Sequence, residues 1–234
     1  MPYRRTENVV RRLAAREQAI LDAASALAAE GGMAALQIAA VAERADIAVG
    51  TVYRYFPSKT DLVAALIATL ADSELAAMRA AGDAAPGPLS ALAACIACFA
   101  ARALYARRLI WAATGEPVEP ELDALRRAFR QSLAAELAAR IRAAAAGRHL
   151  PELDANIAAP AIVGALLEGL IGPLAPQSSD AAAQREAVQT VTLLALRALG
   201  VIDARARGLV AQCVLPLHPP LEGEGRRTKS AGVG

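Results

Sequence analysis

The sequence predicts an all-α protein of about nine helices, and three observations predict it. Hydrophobic residues make up 56% of the 234 and aromatic residues only 3%, with alanine dominant, a composition that favours helix almost everywhere. Apolar residues recur at three- and four-residue spacing, the period of one helix face. Glycine and proline cluster between those stretches, at 31–32, 82–88 and 172–173, where they end helices.

The elements follow in order. Residues 1–12 hold Arg4, Arg5, Arg11 and Arg12 against Glu7 alone, a basic N-terminal arm that is either simply solvated or reaches DNA phosphates or a minor groove. A first helix is expected over 13–30, with Ile20, Ala23, Ala24 and Leu27 on one stripe, closed by Gly31-Gly32. Two short helices follow over 38–44 and 49–55. A fourth starts near Ser58, whose hydroxyl can cap it with Asp61 three residues on, and runs to about residue 80. Beyond the break at 82–88, helices are expected over 89–105, 107–113, 119–146, 156–171 and 180–199. Pro160 forces the eighth either to kink or to begin near residue 159. The stretch 216–234, rich in Pro, Gly and charge, reads as a disordered tail.

Totals exclude several classes. A net charge of +2 makes any DNA-binding surface local rather than global. The basic N-terminus lacks an apolar leader core, and no run approaches ~18 uninterrupted apolar residues, so no membrane span is expected. Cys95, Cys98 and Cys213 do not form a disulfide framework, which suits a reducing cytoplasm. Cys95 and Cys98 make a C-x-x-C inside an alanine-rich helix with no second pair of zinc ligands, so they read as buried filler. His149 and His218 are solitary. No catalytic set, metal site or cofactor is expected, and the chain does not read as an enzyme.

The most specific stretch is 39–62. A short apolar helix runs through a tight turn into a second short helix bearing Thr51, Tyr53, Arg54 and Tyr55, the layout of a helix-turn-helix whose second helix can enter a DNA major groove. Val41, Ala42, Val52 and Phe56 are the inward-facing set. Three aromatics within 53–56 cannot all be buried on one face, because consecutive side chains point about 100° apart. Val49 and Thr51 suit base edges, Gly50 allows close backbone approach, and Arg54 suits a guanine or a phosphate. Tyr53 and Tyr55 can donate to phosphates, which positions the helix without reading sequence. Lys59 lies in the first turn of the fourth helix, where free N–H groups already favour an anion.

The motif GTVYRYFPSKTDL at 50–62 resembles the signature of TetR-family transcriptional regulators, with detailed likeness over about 14–66. The resemblance implies a three-helix DNA-binding head at 13–60 on a helical effector-binding and dimerisation body at 61–205. It also places Gln37, Ala48, Val49, Gly50, Thr51, Tyr53, Arg54, Tyr55 and Lys59 at or near DNA. The chain departs from the pattern at Asp46, where many relatives have glycine, at Ala48, where many have a capping serine, and at Leu36-Gln37 in place of a Thr/Ser pair. Losing the cap costs about 1 kcal/mol.

An effector pocket is implied in the body, with Met78, Phe99, Trp111, Arg126, Phe129, Arg130 and Leu133 as candidate lining. Arg126 and Arg130, one turn apart, can meet a carboxylate or merely solvate their helix. Ile162, Ala165, Leu166 and Gly169, with Val188, Val191, Ala195 and Leu199, form stripes expected to pair two copies; packing inside one protomer is the alternative. The implied function is a homodimeric DNA-binding regulator, a repressor on a palindromic operator released by a small-molecule effector of unknown identity. The alternatives are a helical ligand-binding protein or enzyme with a degenerate head, and a DNA-binding protein with no effector.

Overall fold

Ten α-helices run through residues 7–116, 120–177 and 180–213, the parts of the chain that this computed structural model describes, and no strand lies among them. They are α1 (Glu7–Gly31), α2 (Ile38–Arg44), α3 (Val49–Tyr55), α4 (Lys59–Asp83), α5 (Pro88–Tyr105), α6 (Arg107–Thr114), α7 (Pro120–Ala146), α8 (Ala155–Leu166), α9 (Ala181–Ala198) and α10 (Asp203–Gln212). A 3₁₀ turn, Met33–Ala35, precedes α2, and one π-helical turn, Leu167–Ile171, extends α8. Residues 1–6 of the expected arm and all of the expected tail at 216–234 lie outside the described residues. Arg11 and Arg12 sit within α1, which starts earlier than expected, and both are exposed.

The first three helices wrap Ile20, Ala24, Leu36, Val41, Ala42, Val52 and Phe56 into one core. The body packs α4, α7 and α9 around α5. By length and composition α5 could cross a membrane, with mean hydropathy 1.6 over 18 residues, although Ser90 and Arg102 break its apolar run. In the fold it is the central helix, 67% buried. The expected head–body boundary at residues 60 and 61 falls in the first turn of α4, which continues unbroken into the body.

Two features lock α4 to α5. A Cβ on Gly82 would lie 2.7 Å from Cys95 Sγ and 2.9 Å from Arg140 Cζ, so the helices approach to a distance only glycine permits. Eight residues earlier, Glu74 is buried and takes a fork from Arg102, Nε to Oε2 at 2.8 Å and Nη2 to Oε1 at 2.7 Å. The carboxylate beside it raises the Arg102 pKa above its usual value.

Of the two expectations for Pro160, a start near residue 159 is excluded: the proline lies inside α8, which starts at residue 155 under an Asp154 cap that accepts the Asn156 N–H at 2.8 Å. The proline is exposed, so the Asn156 carbonyl it deprives of a helix partner lies on the side open to water. α10 was not foreseen: of its ten residues only Ala206 is buried, too little for an apolar stripe. The π turn follows α8 without a break and leaves no periodic mark.

Removing one partner of the buried Glu74–Arg102 fork strands a charge. Glu74→Ala is expected to lower unfolding free energy by about 3 kcal/mol, read by urea denaturation. The double variant Glu74→Met/Arg102→Met is expected to recover most of that loss.

Candidate nucleic-acid interface

The turn from α2 to α3 is built by backbone. Asp46 N–H donates to Glu43 O at 3.1 Å and Ile47 N–H to Ala42 O at 3.0 Å. Asp46 itself is left-handed, φ 53°, a conformation that aspartate adopts more readily than most residues. Ala48 stands at the α3 N-cap with extended backbone and no side-chain hydrogen bond. The third helix therefore starts uncapped by any side chain, and its seven residues are too few to hold as helix alone. Packing holds it: Val52 and Phe56 are buried in the head, as are Val41 and Ala42 of α2. Arg44 forks onto Glu30, both bonds 2.8 Å, tying α2 to α1. The Arg44 guanidinium keeps the Glu30 carboxyl below its ordinary pKa.

That packing fixes which side of α3 faces out. Val49 is 43% exposed and Tyr53, one turn on, 49%. Gly50 is exposed, and a Cβ there would meet nothing within 4 Å. Arg54 is exposed, its Cζ 5.8 Å from the centroid of the Tyr55 ring, a cation–π contact that restrains the guanidinium. Thr51 and Tyr55 are half-buried, and Tyr55 packs against the core. Of the three aromatics Phe56 is inside, Tyr53 outside and Tyr55 between. Gln37 is exposed and donates from Nε2 to Ala34 O at 3.2 Å.

The fourth helix begins as its capping residues require. Ser58 Oγ accepts the Asp61 N–H at 3.1 Å and donates its hydroxyl to Asp61 Oδ2 at 2.7 Å. Lys59, the first helical residue, is half-buried beside this cap. The outward side of α3 and the start of α4 thus carry the residues of the motif on adjoining elements.

Residues 20–66 match the family model described as bacterial regulatory proteins, tetR family. Over this segment, about a fifth of its length, the chain resembles the tetR family. The matches to curated relatives are short. The chain is 60% identical over 53 residues to the transcriptional repressor KstR of Rhodococcus jostii, 23% of this chain and 25% of that one. It is 62% identical over 48 residues to KstR of Mycolicibacterium smegmatis, 20% of this chain and 24% of that one. The chain thus matches about a quarter of the length of these curated relatives. Among solved structures it resembles FadR of Bacillus halodurans, with TM-score 0.69 and 21% identity over 80% of this chain and 97% of that one. It also resembles RolR in complex with resorcinol, with TM-score 0.60 and 20% identity over 88% and 97%. Those likenesses extend the shared fold through the helical body. The family and the curated relatives are named as regulators, not as enzymes.

In the body, Met78, Phe99, Phe129 and Leu133 are fully buried core, Trp111 is half-buried, and Arg130 is exposed. Arg126 differs from all of these. It is 7% exposed on the buried stripe of α7, between Leu122 and Phe129. Its Nε and Nη2 reach no acceptor. Burial lowers its pKa from the usual value, and Asp123 and Glu116 act in the opposite sense. Glu116, just past α6, reaches the head: its Oε2 accepts the Met33 N–H at 3.0 Å, and its Oε1 lies 3.9 Å from Arg108 Nη2. Gly32, at φ 71°, sits so close that a Cβ there would lie 2.6 Å from Glu116 Oε1. Neither contact was visible in the sequence, since Met33 and Glu116 lie 83 residues apart.

The stripes expected to pair two copies are a correction. Ile162, Leu166, Val188, Val191, Ala195 and Leu199 are buried inside the protomer. Only Ala165 and Gly169 are exposed. Helical period reports a buried face without saying whether the same chain or a second copy buries it. The outward sides of these helices instead present Ile157 and Leu194.

Two clefts open elsewhere on the body. One, of about 300 Å³, lies between the end of α4, the start of α5 and α10, beside Ser90 and Cys213. The other, of about 290 Å³, lies between α9 and α10. Neither is lined by the candidate effector residues. Cys95 and Cys98 are buried in α5, and Cys95 Sγ donates to Met78 O at 3.1 Å. Burial pushes the Cys95 thiol up to about 11 and raises that of Cys98.

At pH 8 a thiol of that pKa is ionised in about one molecule in a thousand, too few for rapid thiolate chemistry. The folded protein is expected to react quickly with a disulfide reagent at no more than one site, the half-buried Cys213. All three thiols are expected to react in denaturant, counted by released chromophore.

Proposed function

We propose that the protein is a DNA-binding transcriptional regulator, a repressor that binds a palindromic operator as a homodimer and is released by a small-molecule effector. The observation that carries this reading is the outward side of α3: Val49, Gly50 and Tyr53 stand free while Val52 and Phe56 fix the helix from behind. A surface with no Cβ at its leading end lets backbone come close to a groove. The names of the curated relatives, all repressors, support the same direction.

The roles divide by reach. Val49, Gly50 and Thr51 face base edges, and Arg54 takes a guanine or a phosphate. Tyr53, Tyr55 and Lys59 hold phosphates, with Gln37 and Ala48 at the margin of the contact. The head at 13–60 reads DNA; the body at 61–205 pairs the copies and takes the effector. Because one seven-residue helix reads few base pairs, two heads about 34–36 Å apart are needed. The pairing surface is the outward side of α8 and α9, around Ile157, Ala165 and Leu194. That solved structures of this fold were obtained with resorcinol and with stearoyl-CoA supports a ligand role for the body. Effector binding shifts the population between two head spacings, and Glu116, which joins body to head, is placed to pass the change on. The setting is the cytoplasm.

A gel shift with DNA from upstream of its own gene tests this. The protein is expected to bind with an affinity that falls steeply with salt. Tyr53→Ala/Lys59→Ala is expected to weaken binding at least tenfold across sequences and, through the lost lysine charge, to flatten the salt slope by about one. Unchanged affinity in that variant, or a monomer as the bound species by sedimentation, overturns the reading.

A further inference from the structure

We propose that Arg126 is the anion receptor of the effector site, and that the effector is an apolar monocarboxylic acid. This rests on the reading of the body as an effector-binding unit.

The unsatisfied atoms are Nε and Nη2, two donors on one edge of the guanidinium. Arg102 in this same fold shows what that edge binds. Its Nε and Nη2 grip the two oxygens of Glu74 at 2.8 and 2.7 Å. Arg126 offers the same pair, buried and without an acceptor. Two parallel N–H groups match the two oxygens of a carboxylate.

Among the described residues, the carboxylates whose charge acts on Arg126 are committed elsewhere. Asp123 bonds Arg127 on the exposed side of α7. Glu116 accepts the Met33 N–H and faces Arg108. Both act on Arg126 through their charge, yet neither bonds its open edge. A buried guanidinium with two idle donors is expensive to keep unless something fills the place.

The surroundings set the rest of the ligand. Leu122, Phe129 and Leu133 share the stripe with Arg126 and are fully buried. The stripe belongs to a helix packed on α4 and α5. One positive charge with two donors balances a monoanion; a phosphate dianion leaves oxygens without partners. The matching molecule has a single carboxylate on an apolar body.

Thermal melting of the full chain tests this without DNA, so failure to bind an operator leaves it standing. Octanoate, decanoate, phenylacetate and cinnamate are compared with their primary amides and with inorganic phosphate. At least one acid is expected to raise the melting temperature of the native sequence by several degrees while its amide does not. Arg126→Met is expected to melt at or above the native sequence without ligand and to lose the acid's effect. Arg126→Lys, which keeps the charge but not the fork, is expected to bind the active acid at least tenfold more weakly. No response to any acid, an equal response to amide or phosphate, a response retained in Arg126→Met, or an unliganded Arg126→Met that melts several degrees lower each overturns the proposal.

Discussion

The fold depends on one helix being held along its whole length. α4 begins in the head, where Ser58 caps it with its own hydroxyl. It is clamped at mid-length by the Glu74–Arg102 fork and pressed against α5 at Gly82. Each hold is of a different kind: a satisfied helix end, a desolvated ion pair and a missing side chain. Because all three act on one unbroken rod, the head cannot tilt without moving charges and contacts deep in the body. The short α3 takes its orientation from the core of the first helices, which Val52 and Phe56 enter, since it has too few residues to set its own.

Much of the fold was legible because its punctuation is local. Gly31-Gly32, the 82–88 break and Ser58 with Asp61 mark helix ends through chemistry that needs no tertiary information, and the observed ends lie within a few residues of those marks for most helices. In the head, the aromatic arithmetic at 53–56 predicted that one ring must turn outward, and Tyr53 does. What could not be read depends on what lies across space. Glu74 and Arg102 are 28 residues apart, and no pattern pairs them. The apolar stripes on α8 and α9 were visible, but period alone does not name the partner that buries them. Pro160 left two readings open, and its place inside α8 removes only the later start, while α10 escaped because one buried alanine makes no stripe. Arg126 was noticed as a basic residue, but the sequence could not show that its donors are buried and idle.

Identity to relatives is distributed unevenly. The tetR match lies over residues 20–66, a stretch of some fifty residues reaches about 60% identity, and the longer alignments of the fold stay near 20%. The physics of the two parts accounts for this. A helical bundle accepts many interiors of matched volume, so a shared architecture imposes little on its side chains. A seven-residue rod seated by two or three groups, and aimed by a turn with one left-handed residue, has far fewer solutions.

The placement of Glu116 has a consequence for how the interior and the head communicate. One of its oxygens anchors the amide just past α1, while its charge acts on a guanidinium in the core. A second negative group arriving beside that guanidinium would repel Glu116, and the nearest thing tethered to Glu116 is the backbone on which the head hangs. If the interior takes an acid as proposed, linkage would run both ways: whatever grips the head from outside would alter the interior's affinity for that acid by the same factor. Nucleic acid would become an antagonist of the metabolite, as much as the reverse.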